Sequence, residues 1–238
     1  MKIVAFNPLL GLLFFLWAIW PGQLIAQTQA ESTYQQKLQA AESSLYAIGT
    51  PIPPSSYRFG TVSGSPYLFE QWLPGDLRLE SGFVHEGVDL KLDVYHDLIL
   101  FQGEKGLVSL HKDFIHSFNL YHEEEVFNFV KTSLEGKNAT FCELLYAGPT
   151  RLLKYYRKVI VQTRELQGTQ YPDAFADKAR YYLQRQQSPP EEVKLNKASV
   201  LKRLNTQAEA LRAYLRENEL DLRSEEQLLQ LLRYFDSL

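Results

Sequence analysis

The chain has 238 residues, 45% of them hydrophobic and 22% charged, with a formal net charge of −3. That composition suits one globular domain with a small appendage and excludes a disordered or fibrous chain. The mild acidity gives no global pull toward nucleic acid, so no nucleic-acid partner is expected. With Cys142 as its single cysteine, the chain has no intramolecular disulfide.

The first 26 residues have the layout of a secretory signal peptide. Lys2 starts it, Leu9 to Trp20 forms an apolar block, Pro21 and Gly22 break it, and Ala26 offers a small residue for cleavage. The apolar block is about 12 residues, short of the roughly 20 a spanning helix needs, so no stable membrane span is expected after cleavage. Gln27, not a cysteine, follows the cleavage position, which removes the thiol needed for lipid attachment there.

Glu31 to Ile48 reads as a short amphipathic helix, with Tyr34, Leu38, Ala41 and Leu45 at helical spacing. Gly49 stops it, and Pro51, Pro53 and Pro54 keep the next residues extended. Strands begin near Tyr57. Pro74-Gly75 is suited to a tight turn, as is Gly82. Val88 to Val94 alternates apolar and charged residues over seven positions, the period of a half-buried strand. Leu98–Phe101 follows a His96-Asp97 corner, and Gly103 and Gly106 bracket a turn before Leu107–Leu110. Phe118, Leu120, Phe127 and Phe129 continue the pattern, and Phe141–Tyr146 joins Leu152–Val161 through Ala147–Thr150.

Strands and links this short pair antiparallel, because parallel neighbours need long crossovers. Gln162 to Lys178 is polar and unpatterned and reads as a long loop. Tyr181–Leu183 and Val193–Leu195 make an edge hairpin around Ser188-Pro189-Pro190. Helical spacing then takes over in three short helices. Val200, Leu201 and Leu204 mark the first, Thr206 with Glu209 caps the second, and Ser224 with Gln227 caps the third.

The expected fold is therefore α+β and mainly β: an antiparallel β-meander, barrel-like or a sandwich, with a small C-terminal helical segment. The expected divisions are a signal peptide at 1–26, a helix and Pro-rich linker at 27–56, the β domain at 57–195 and short helices packed on it at 196–238.

Several elements recur in a fixed order. Gly64-Ser65-Pro66-Tyr67 is followed by Trp72 and Gly75, then by the alternating strand Val88–Asp93, then by Ile115 and Phe118. Leu145-Tyr146-Ala147-Gly148 and the terminal pair Tyr234-Phe235 complete the set. In order and spacing this resembles a family of uncharacterised exported β-rich proteins of Bacteroidota, over about Gly64 to the C-terminus. Cys142, where an aromatic is usual, and Phe235, in place of a tyrosine, depart from that pattern. The resemblance implies export and a β-rich body and brings no activity with it.

No catalytic, cofactor-binding or metal-ligating set is assigned. His111, His116 and His122 with Glu123, Glu124 or Glu125 are the sharpest metal candidates, but a spacing of five puts His111 and His116 on opposite faces of a continuous strand. Ser63-Gly64-Ser65-Pro66 lacks the frame of a nucleophile elbow. Cys142 reads as a buried, inert thiol, and Asp89 and Asp93, which alternate with Lys91 on an exposed strand face, as members of cross-strand ion pairs. Arg151, Lys154, Arg157 and Lys158 around Tyr155 and Tyr156 form the candidate binding surface, suited to an anionic envelope glycan or lipid.

The expectation is an exported protein, periplasmic or associated with the outer envelope, acting as a non-enzymatic binding or assembly module with envelope partners and no cofactor. The alternative is a hydrolase, metal-dependent or not, built from the histidine-rich stretch.

Overall fold

The computed structural model describes residues 32, 33, 36, 39–53, 62–162, 173–186 and 188–238. The signal-peptide segment and residues 163–172 of the expected loop lie outside these. The chain divides into two compact units at the Ala41–Glu42 bond, and the sheet and the C-terminal helices belong to the second, Glu42–Leu238.

The strands are β1 (Gly49–Pro51), β2 (Leu73–Leu79), β3 (Val84–Asp93), β4 (Leu98–Gly103), β5 (Gly106–Leu110) and β6 (Ile115–His122). They continue with β7 (Glu125–Leu134), β8 (Lys137–Ala147), β9 (Thr150–Val161), β10 (Ala174–Arg185) and β11 (Glu191–Val193). All 11 belong to one antiparallel sheet in the order β1-β5-β4-β3-β2-β6-β7-β8-β9-β10-β11. The mainly-β antiparallel fold is as expected, and it is built as a single sheet.

The sheet departs from a simple meander at one point. β6 returns to pair with β2, leaving β4, β3 and β2 between it and β5. Four strand spacings in a flat sheet amount to about 19 Å. The link from Leu110 to Ile115 reaches about 17 Å even when fully extended, and it contains a 3₁₀ turn at Lys112–Phe114. The sheet therefore curls.

Its inner face follows from the register. Leu73 lies opposite Leu90, Leu90 opposite Phe101, Phe101 opposite Val108, and Leu77 opposite Phe118. All are buried. Phe118 stacks on Phe129 at 4.7 Å and meets Phe141 edge-on. The helical residues 42–47, the part of helix α1 in this unit, pack on the sheet: Leu45 is fully buried, and the Tyr46 ring meets Phe101 edge-on at 5.7 Å. Within the stretch expected as a linker, Gly49–Pro51 is the edge strand paired with β5, and residues 54–56 lie outside the described residues.

β9 and β10 bury both faces, as adjacent residues of each show. Leu152 and Leu183 join Val193 under the C-terminal helices, while Leu153 and Tyr182 pack with Leu134, Cys142 and Tyr155 on the other side. The helices are α2 (Lys197–Leu204), α3 (Ala208–Glu217) and α4 (Glu225–Phe235). Asn196 caps α2 and Ser224 caps α4, each accepting from the N–H three residues on. Thr206 does not cap α3 as expected. Its hydroxyl donates back to the Leu204 carbonyl, and Gln207, in the left-handed region, starts the helix without a side-chain cap. Asp236 ties the end of α4 to the β8–β9 turn, accepting from the Thr150 N–H at 3.1 Å. A Cβ at Gly148 would lie 2.4 Å from the same carboxylate.

Two further expectations are corrected. Lys178 and its neighbours are not loop: β10 begins at Ala174 and pairs with β9 along its full length. Its first half, Ala174–Arg180, is partly or fully exposed on both faces and mixes alanine, phenylalanine and charged residues, so no alternation marks it. Pro74-Gly75 is not a turn but the start of β2. Pro74 precedes the pairing with β6, where a missing N–H is tolerated. Gly75 serves close approach, since a Cβ there would lie 2.3 Å from the Asn119 carbonyl oxygen.

Candidate functional site

An open groove of about 580 Å³ has a lining that includes Glu80, Asp113, His116, Lys131, Thr132 and Arg151. These come from four places in the chain. Glu80 follows β2, Asp113 sits in the 3₁₀ turn with His116 just after it on β6, Lys131 and Thr132 are on β7, and Arg151 opens β9.

One wall is built and internally neutral. The Lys131 ammonium donates to the Lys112 and Asp113 carbonyls at 3.2 and 3.3 Å and pairs with Glu80, while His116 Nδ1 lies 3.4 Å from the second Glu80 oxygen. The hydrogen bond from Lys131 holds the Glu80 carboxyl below its usual range. Arg151 differs. Its guanidinium donates to the neutral Gln184 Oε1 at 3.2 Å, and it makes no ion pair among the described residues.

Apolar side chains stand exposed beside the groove. The Glu80 N–H donates to the Phe114 carbonyl and the Leu79 N–H to that of Phe83, which brings both aromatics to this end of the sheet. Phe83 is 72% exposed, Phe114 50% and Val84 40%. Large aromatics this open are not explained by the core.

The sequence candidates are dispersed. Strand alternation separates the basic set: Lys154, Tyr156 and Lys158 face one side of β9, and Arg151, Tyr155 and Arg157 the other. Lys154 pairs with Glu225 and Lys158 with Asp177, and Tyr155 is buried. One continuous basic and aromatic surface is therefore not what this stretch makes. The histidines each have their own partner: His111 with Thr50, His116 with Glu80, His96 with Asp93, His85 with Ser44, and His122 stacked on Phe69. Among the described residues no three His, Cys, Asp or Glu side chains gather as a metal would require.

The central strand's polar face is wet at Asp89, as expected, but half-covered at Lys91 and closed over at Asp93. The segment Ser63–Trp72 crosses it as a strap. The Lys91 ammonium sits 4.5 Å from the Tyr67 ring and 4.9 Å from that of Trp72, and donates to the Glu70 carbonyl. Burial there pushes the Lys91 pKa down. Asp93 is fully buried and accepts from the Tyr95 and His96 N–H groups and from the His96 ring. The cross-strand neighbours of Asp89 and Lys91 are Pro74 and Leu100, so the ladder offers no ion pairs. The thiol of Cys142 is buried, and burial with the nearby Asp97 carboxylate pushes its pKa up to about 12.

A second polar cluster, invisible in the sequence, lies between the sheet and α4. Tyr156 donates to Glu143 and Tyr181 to Glu225, each at 2.6 Å, with Lys154 also 2.6 Å from Glu225. Burial raises the Glu143 pKa, although the Tyr156 hydroxyl and Lys154 pull the other way. A carboxyl raised in the native state binds its proton more tightly there. Its contribution to stability is full below the ordinary 4.5 and is lost as pH rises through the native value. E143Q keeps an acceptor for Tyr156, so it is expected to equal or exceed the parent's stability at pH 7 and to lose that advantage at pH 4. Urea melts at the two pH values check this, and parallel pH dependence would contradict it.

The molecule is thus a mainly-β protein of one curled antiparallel sheet, with an open groove and exposed aromatics at one end. Among the described residues no helix is long and apolar enough to cross a membrane. No protein-family model matches the chain, and neither the curated proteins nor the solved structures contain a significant match.

Proposed function

We propose that the protein is exported and works in the cell envelope as a non-enzymatic binding or assembly module, engaging its partner through the end of the sheet that carries Phe83 and Phe114. The observation that carries this reading is the exposure of those two aromatics beside a groove whose polar wall is already assembled. Exposed aromatics rimmed by polar groups have the anatomy of a recognition surface. The signal-peptide layout of residues 1–26 and the resemblance to exported proteins support the location. Envelope proteins are the expected partners, with an anionic envelope glycan or lipid as the other class.

A photo-crosslinking residue placed at Phe83 or Phe114 is expected to trap discrete envelope species, whereas the same residue at exposed Glu219 is not. An identical pattern at all three positions would remove the proposed surface. The purified protein is expected to begin at Gln27 by N-terminal sequencing, and a retained Met1 would remove the export reading.

A further inference from the structure

The groove contains two charges of opposite sign that the fold leaves unmatched. Lys131 and Glu80 neutralise each other, and His116 leans on Glu80. Arg151 and Asp113 remain, and neither makes an ion pair among the described residues. The hydrogen bond Asp113 does provide comes from its backbone carbonyl, which accepts from Lys131 and leaves the carboxylate uncommitted. The uncharged part of the lining is Val130, Thr132, Ser133 and Ala139. The volume of about 580 Å³ lies within the roughly 300–1,000 Å³ typical of small-ligand pockets.

The other basic candidates of this stretch are unsuited to the role. Lys154 and Lys158 are spent on Glu225 and Asp177, and Arg157 does not line the groove. Arg151 has a planar fork with one bond to a neutral amide, so donors remain for a carboxylate, which such a fork takes in a bidentate way.

We infer that the groove binds a short zwitterionic peptide, its C-terminal carboxylate on Arg151 and its amino group on Asp113. This rests on the reading of the protein as a binding module and names the ligand class for the groove of that module. A purely anionic ligand would satisfy Arg151 but set its charge against Asp113. A purely cationic one would satisfy Asp113 but meet Arg151. A ligand carrying both charges avoids each conflict.

Calorimetric titration of the purified protein with tri-alanine tests this, alongside its C-amidated and N-acetylated forms. Free tri-alanine is expected to bind, and each blocked form to bind about tenfold more weakly, the scale of one lost charge-assisted hydrogen bond. In R151Q the penalty for amidation is expected to vanish while that for acetylation persists, and in D113N the reverse. R151K, which keeps the charge and loses the fork, is expected to fall between the parent and R151Q.

Blocked and free peptides binding equally, or no binding of the free peptide at 100-fold excess over the protein, about two decades of concentration, would overturn the inference. The peptide comparison on the unmodified protein decides even if a variant fails to fold. Crosslinking at Phe83 and Phe114 does not depend on the peptide, so a failed titration with intact crosslinks would sink this inference alone. Loss of both would sink the module reading as well.

Discussion

Gly75→Ala is expected to destabilise the protein by about 3 kcal/mol or more, the upper range for overpacking a filled interior. A Cβ at this position would lie 2.3 Å from the Asn119 carbonyl oxygen and 3.1 Å from Leu90 Cδ1. The first of these is backbone of a paired strand. Relief requires β6 to move away from β2, which breaks the ladder between Gly75 and Leu120 that joins the two halves of the sheet. Gly82→Ala serves as the comparison. Gly82 has φ +91° and nothing within 4 Å of a new Cβ, so its cost is backbone strain alone, about 1 kcal/mol. Urea denaturation of the two variants separates the mechanisms. Equal costs would show that β2 and β6 part easily and that Gly75 is there for another reason.

Gly75 also shows which parts of the fold the sequence displayed. Pro-Gly is a turn signal because both residues favour turn dihedrals, but glycine is equally demanded wherever two backbones approach closely, and the two demands look alike in one dimension. Val88–Asp93 was legible because its apolar and charged residues alternate, although the strap buries Asp93; Leu98–Phe101 was legible as a short apolar run between turn residues, with Ile99, Leu100 and Phe101 all buried. β10 was half hidden for the opposite reason. Ala174–Arg180 is partly or fully exposed, so no apolar face marks it, and its pairing with β9 is made by the backbone.

The cap at Ser224 is local chemistry and was read directly, whereas the one at Asn196, equally local, was not; the failure at Thr206 is also local, since its hydroxyl had a competing acceptor in the Leu204 carbonyl. The groove was not legible. Glu80, Asp113, Lys131 and Arg151 are ordinary surface-type residues in sequence, and only the return of β6 to β2 and the curl it imposes bring them together. What the sequence did offer was Arg151, within a basic run. The run suggested one surface, but the period of two assigns its members to opposite faces.

That division gives Lys154 a structural role, with a large expected effect. Lys154→Ala is expected to cost about 2–3 kcal/mol, somewhat below the 3–5 of a fully buried pair because Glu225 keeps 27% of its exposure. Lys154 stands opposite Glu143 on β8 and Tyr181 on β10, and its ammonium lies 4.7 Å from the Tyr156 ring. Without it, the carboxylates of Glu143 and Glu225 are left in one desolvated patch with two phenols to share and no cation between them. Arg157→Ala, on the opposite face, is expected to cost about 0.5 kcal/mol or less. Removing the stranded charge as well should return part of the loss, so K154A with E225Q is expected to recover about 1 kcal/mol over K154A alone. Thermal or urea melts of the three variants read this directly. If K154A costs no more than R157A, the helical layer is held by Leu228, Leu231 and Leu232 alone, and the pair is incidental. If the expected order holds, a triple replacement of Arg151, Lys154 and Arg157 would mix a loss of stability with any loss of binding, and only Arg151 among them, as a lining residue of the groove, reports on a ligand.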